Sequence, residues 1–171
     1  MFRTLLLFLL CALLPAQAPQ PQASDPYAAV RFLAGDWVGE GSGDPGKGSG
    51  EFSFRFELEG RTLVRRSWAS YPAQNGRAAI RHEDLMTLFP EDGGLKALYV
   101  DNEGHVIHYA ARALPGGAGV EFLSPAGRGP VFRLTYRPQG ADVVTVSFAI
   151  APPDKPEAFT TYVEGVSRRK K

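Results

Sequence analysis

The chain has 171 residues, 44% of them hydrophobic, with 19 Lys and Arg against 18 Asp and Glu. This is enough chain for one domain with a real core, and its near-neutral balance excludes the basic excess of a nucleic-acid binder. Cys11 is the only cysteine, which excludes an internal disulfide and a thiolate metal site.

Arg3 precedes the apolar run from Leu5 to Leu14, and Ala16-Gln17-Ala18 follows. A positive start, about ten apolar residues and a small-x-small site read as a secretory signal peptide over 1–18. The run is shorter than the roughly 20 residues that span a bilayer, so no integral membrane segment is expected in the mature chain. Phe8-Leu9-Leu10 ahead of Cys11 lacks the small residues of a lipoprotein signal. Removal of the leader takes away the cysteine and one arginine, leaving acids and bases equal. The expected location is outside the cytoplasm, periplasmic or secreted.

Residues 19–26 read as a polar, proline-bearing linker, and 27–171 as one domain. Ser24-Asp25-Pro26 offers a helix cap followed by a proline in the first turn. A short helix is therefore predicted over 27–34, with Val30 and Leu33 on one face, stopped by Gly35. Strand-like runs follow near 36–41, 50–59, 62–71, 82–90, 94–101, 105–114, 119–124, 131–137, 143–150 and 159–168. Turn sequences such as Glu59-Gly60-Arg61, Asp92-Gly93-Gly94, Asn102-Glu103-Gly104 and Pro115-Gly116-Gly117 separate them. No later segment suits a parallel crossover helix, so a meander is the economical topology.

Alternation is clearest over 51–58, where Phe52, Phe54, Phe56 and Leu58 face one way and polar groups the other. Phe132, Leu134 and Tyr136 repeat the pattern, as do Val144, Val146, Phe148 and Ile150. A flat sheet of ten such strands exposes an apolar face and two edges; closing it removes both faults. The expected fold is all-β, a single ten-stranded antiparallel up-and-down barrel with a short N-terminal helix.

The segment Phe32-Leu33-Ala34-Gly35-Asp36-Trp37-Val38-Gly39-Glu40-Gly41 resembles the start of calycin-like barrels, closest to the nitrobindin-type group and to bacterial lipocalin-like domains of unknown function. In those families a short helix leads into a first strand carrying G-x-W and then G-x-G. The resemblance implies a pocket at one end of the barrel, closed at the other by the helix. It also implies that Trp37 is a structural plug packed against an arginine of the last strand, Arg168 or Arg169. Nitrobindin-type barrels hold haem through a histidine near the last strand. No histidine follows His108 here, and laying residues 164–169 on that family's end puts Tyr162 near the axial position. Tyrosine is able to ligate haem iron.

Other candidate chemistry is thinner. Residues 41–48 match G-x-x-x-x-G-K, but Gly48 stands where Ser or Thr belongs and a strand follows, so this reads as a loop at the pocket mouth. His105 and His108, three apart on a strand, point to opposite faces and cannot grip one metal without a bulge; which of them faces inward is left open. His82 and Asp84 share a face and suit an orienting pair, without a third inward ligand; no metal site is predicted. One of Arg65 and Arg66 must point inward, unless both lie at the rim. Arg66 shares its face with Val64 and Trp68 and is the expected one, needing a ligand carboxylate, an internal acid or a rim position in water. No serine has the setting of a nucleophile, so no catalytic residue is assigned.

These residues point first to non-covalent binding of a small apolar or amphipathic ligand, an anionic head being one option, with no nucleic-acid partner. Its expected contacts are Phe54, Phe56, Arg66, Trp68, Tyr99, His108, Tyr136, Phe148 and Tyr162; Trp37 and Arg168 are structural. Two alternatives stand: a haem protein with isomerase-type chemistry, and a filled barrel that presents its outer surface to a protein partner.

Overall fold

The computed structural model describes residues 25–43, 46–74 and 76–171. The expected leader, and the linker up to residue 24, lie outside the described residues. Among the described residues no helix is long and apolar enough to cross a membrane.

Ten strands follow in order: β1 (Gly35–Gly43), β2 (Gly48–Glu57), β3 (Thr62–Tyr71), β4 (Ile80–Glu91), β5 (Gly94–Asp101), β6 (Val106–Ala113), β7 (Val120–Leu123), β8 (Val131–Pro138), β9 (Val143–Ala151) and β10 (Thr160–Arg169). Each pairs antiparallel with its sequence neighbours, and β1 also pairs with β10, so the sheet closes into an up-and-down barrel. The turn signals act as the sequence predicts. Between β4 and β5, Asp92 (φ 51°) and Gly93 (φ 74°) take the two left-handed positions of a tight hairpin turn.

The expected N-terminal helix is shorter and tighter than predicted. Turns over 26–30 lead into one 3-10 turn, Arg31–Leu33, held by i to i+3 bonds such as Leu33 N–H to Val30 O at 2.9 Å. Pro26 and Gly35 bracket too few residues for an α-helix to propagate. Asp25 Oδ1 accepts from the Tyr27 N–H at 3.0 Å. Val30 and Leu33 are nevertheless fully buried, and they close one end of the barrel.

At that end the interior is packed. Phe52, Phe54, Phe122 and Tyr136 meet edge-on at centroid distances of 5.7–6.1 Å, a favourable ring geometry. Leu63, Met86, Leu88, Val120 and Val144 fill the space around them. Trp37 is 1% exposed, stacks on Phe52 and donates its indole N–H to Leu33 O at 2.8 Å. The arginine over it is Arg169, not Arg168: its guanidinium carbon lies 4.3 Å from the indole centroid. Arg169 also donates to Ala34 O at 2.6 Å and Phe32 O at 2.9 Å, clasping the plug to the last strand. Register explains the correction. Arg169 pairs with inward Trp37, whereas Arg168 pairs with outward, exposed Val38.

Candidate functional site

The other half of the barrel is hollow. Above the aromatic floor lies a cavity of about 730 Å³. Its lining reaches Gly41 and Gly48 of β1–β2, Tyr71 and Ile80 of β3–β4, Glu103 and His105 beyond β5, and Ile150 and Tyr162 of β9–β10. A barrel filled from end to end is therefore not what this sequence builds.

Three walls of different character enclose the cavity. On β8–β10 the wall is apolar, with Phe132 stacked on Phe148 (6.0 Å, 9°) and Tyr162 edge-on to Phe148 at 6.3 Å. Tyr162 sits where the β9–β10 register slips, and such a bulge re-aims a side chain. On β1, β2 and β10 the wall has almost no side chains: Gly39, Gly41, Gly48, Gly50 and Gly165 face the cavity. A Cβ on Gly50 would run into the Trp68 carbonyl oxygen, and one on Gly48 would lie 2.5 Å from the Tyr71 ring, so close strand and side-chain approach requires glycine at both.

The third wall, on β3–β6, is polar and heavily cross-linked. Arg65 points inward from β3 and forms an ion pair with Asp84 of β4; their side chains are 9% and 4% exposed. Arg65 Nη2 also donates to Ser67 Oγ at 2.9 Å. His82 Nε2 lies 2.9 Å from the Tyr99 hydroxyl and 3.5 Å from Asp84, and its Nδ1 lies 2.9 Å from Glu103. Tyr99 donates to Asp101 Oδ2 at 3.2 Å, and His105 Nδ1 meets the same oxygen at 2.8 Å. The contact with Asp84 and then that with Glu103 raise the His82 pKa to about 9, against the opposing pull of burial. His82 is therefore an imidazolium at neutral pH. Burial works to raise the Asp84 pKa, but Arg65 and His82 outweigh it and hold the carboxyl below its ordinary value. Burial, seconded by Asp84, pushes the Tyr99 hydroxyl up, so it stays protonated. Arg65 Nε and the Tyr136 hydroxyl are buried with no hydrogen-bond partner among the described residues, an uncommon condition for polar atoms in a folded interior.

The residues expected at the site divide between cavity, floor and outer surface. Tyr99, Phe148 and Tyr162 line the cavity. Phe54 and Tyr136 are fully buried in the floor beneath it, and Phe56 lies lower still, edge-on to Tyr27 at 5.3 Å. Arg66 and Trp68 point outward, which corrects the orientation expected of them, and His108, whose orientation the sequence left open, points outward too and is no ligand contact. The phase of β3 is set by fully buried Leu63, which puts Arg65 and Ser67 on the inner face and exposed Arg66 on the outer one. Trp68 packs outside the barrel under Arg81, at 4.9 Å. His108 is exposed, because Ile107 and Tyr109 take the inner positions of β6, and His105 shares their phase at the rim.

Arg65, Asp101, Glu103 and the glycine wall are the parts that sequence reasoning missed. A signal for Arg65 was present. Asp84 shares its face with Met86 and Leu88, so an acid belongs inside and needs a cation opposite. Among the described residues no group of three or more His, Cys, Asp and Glu is arranged to hold a metal ion.

No protein-family model and no curated protein matches the chain. Among solved structures it is similar to Rv2717c from M. tuberculosis, at 15% identity over 85% of this chain and 98% of that one, with a TM-score of 0.63. Looser likenesses are a de novo designed fluorescence-activating β-barrel (13% identity, 83% and 97% covered, TM-score 0.43) and the S-type phycobiliprotein lyase CPES from Guillardia theta (9%, 82% and 89%, 0.46). The likeness to Rv2717c is one of fold. It agrees with the closed strand order, a ten-stranded antiparallel up-and-down barrel.

Proposed function

We propose that the protein binds a small, largely apolar ligand non-covalently in the hollow half of its barrel, outside the cytoplasm. The observation that carries this reading is the cavity of about 730 Å³, with one aromatic wall and one fixed polar wall above a packed floor. Its size and lining suit a small organic ligand, with the apolar body against Phe132 and Phe148 and a polar end toward β3–β5. The leader pattern over 1–18 supports export.

Haem, implied by the nitrobindin-type resemblance, fits the residues present poorly. His82, the deeper cavity histidine, is protonated and engaged at both ring nitrogens. Tyr162 stands at the rim, 36% exposed, with its ring edge on Phe148.

Native mass spectrometry of the purified mature protein tests the proposal without a guessed ligand, and titration with N-phenyl-1-naphthylamine, a neutral fluorescent probe, tests it directly. The expected result is saturable probe binding that weakens in Phe148→Ala and persists in the outward Arg66→Ala. Absence of both a retained small molecule and saturable binding would overturn it. An exported product starting at residue 19 is the expected sign of location; a product retaining the leader inside the cell would overturn that part. Added hemin shows no protein-dependent shift or sharpening of its Soret band if the fit argument is right.

A further inference from the structure

We infer that the polar end of the ligand is uncharged: a hydroxyl, carbonyl or amide, not a carboxylate and not an amine. This rests on the binding reading above and sharpens it. An inward arginine in a half-apolar cavity at first suggests an anion receptor. The geometry points elsewhere, because Arg65 already has its counter-charge. Asp84, 4% exposed, lies directly against it, and Ser67 takes the second arm of the guanidinium. His82, the other cation of this wall, is held between Glu103 and Asp84. A carboxylate brought here would lose its water and meet a wall where two cations already face three carboxylates, Asp84, Asp101 and Glu103.

An ammonium fares no better. Asp101 accepts at Oδ1 from the backbone N–H groups of Glu103 (3.0 Å) and His105 (2.9 Å), and at Oδ2 from Tyr99 and His105 Nδ1. A carboxylate has about four lone-pair sites, and all four are taken. Arg65 Nε lacks a partner among the described residues but is fully buried, and Glu103 stands half exposed; the open groups that face the cavity interior are neutral hydroxyls. The Ser67 hydroxyl accepts from Arg65 and keeps its own proton to donate. The Ser167 hydroxyl, on β10, faces the cavity beside Gly39 and makes no hydrogen bond among the described residues. These hydroxyls flank the bare glycine wall, where a polar end is able to slide in without meeting a side chain.

The test compares three ligands with one tail, decanol, decanoate and decylamine, as competitors of N-phenyl-1-naphthylamine at neutral pH. Decanol is expected to displace the probe at about tenfold lower concentration than either charged partner. Decanoate or decylamine matching or beating decanol would overturn the inference while leaving the binding reading intact; no binding of probe or competitors would overturn both. Asp84→Asn removes the counter-charge of Arg65, and in it decanoate should gain about tenfold relative to decanol. An unchanged ratio in a folded Asp84→Asn protein would overturn the assigned reason. If circular dichroism shows that variant unfolded, the ordering in the unaltered protein decides alone.

Discussion

Along β3 the inward residues run Leu63, Arg65, Ser67, Ala69 and Tyr71, and they pass from the packed floor into the cavity. The floor half encloses its aromatic rings on every side, so Phe54, Phe122 and Tyr136 expose no surface. In the hollow half, Phe132 and Phe148 stack in a pair and leave one side bare. The lesson is a division of labour within single strands. The plug, Trp37 and the ring cluster bury the apolar area that stabilises the fold, and this frees the upper wall to hold unfilled space and a buried ion pair, neither of which stabilises by itself.

Substitutions in each half should separate these roles. Phe122→Ala, in the floor, is expected to lower stability by about 3–5 kcal/mol in urea unfolding, with probe affinity kept wherever the protein is folded. Arg169→Ala loses the cation–π contact and two charged bonds to carbonyls; a loss of about 2–4 kcal/mol is expected, read in the same way. Phe148→Ala should do the reverse: a stability change of about 1 kcal/mol and a marked fall in probe affinity by fluorescence titration. A large stability loss in Phe148→Ala with unchanged binding would erase the distinction between the halves.

A further expected effect is a pH dependence. The His82 pKa is raised to about 9 in the fold, against an ordinary 6.5, by Asp84 and Glu103. Between those values the unfolded chain binds fewer protons than the native one, so stability falls as pH rises. The contribution is complete below 6.5 and lost as pH passes through about 9. Urea midpoints taken across that window should fall, and His82→Gln should flatten the slope.

The sequence announced the barrel clearly because each strand carries its own evidence: alternation such as Phe52-x-Phe54-x-Phe56, and turn pairs such as Asp92-Gly93. The site was less legible, because a cavity is a relation between strands. Arg65 and Arg66 are neighbours of one chemical type, and Trp68 drew the inner phase the wrong way. Only cross-strand register, which places Arg65 opposite Met86 and next to Asp84, separates them. The same holds for Phe54 and Tyr136, correctly read as inward but set too low to touch the cavity. Alternation gives the face of a residue, not its depth along the axis. His82 with Asp84 was visible as a pair, whereas the Glu103 and Asp101 that complete their network come from the β5–β6 end, where turn residues carry no periodicity.

The β1–β10 seam sets one last condition on how this molecule assembles. Every other strand pair joins consecutive segments, so nine ladders are able to zip locally, one after the next. The seam alone joins Trp37 to Arg169 across nearly the whole chain, over seven paired positions. Bringing such distant ends together costs on the order of 4 kcal/mol of chain entropy. Its closure entropy predicts that this step is the slow one, and until it is complete both terminal strands present raw hydrogen-bonding edges. The Arg169 clasp onto Phe32 and Ala34 is the latch that follows, and a chain shortened before it would hover as an open, self-associating ribbon.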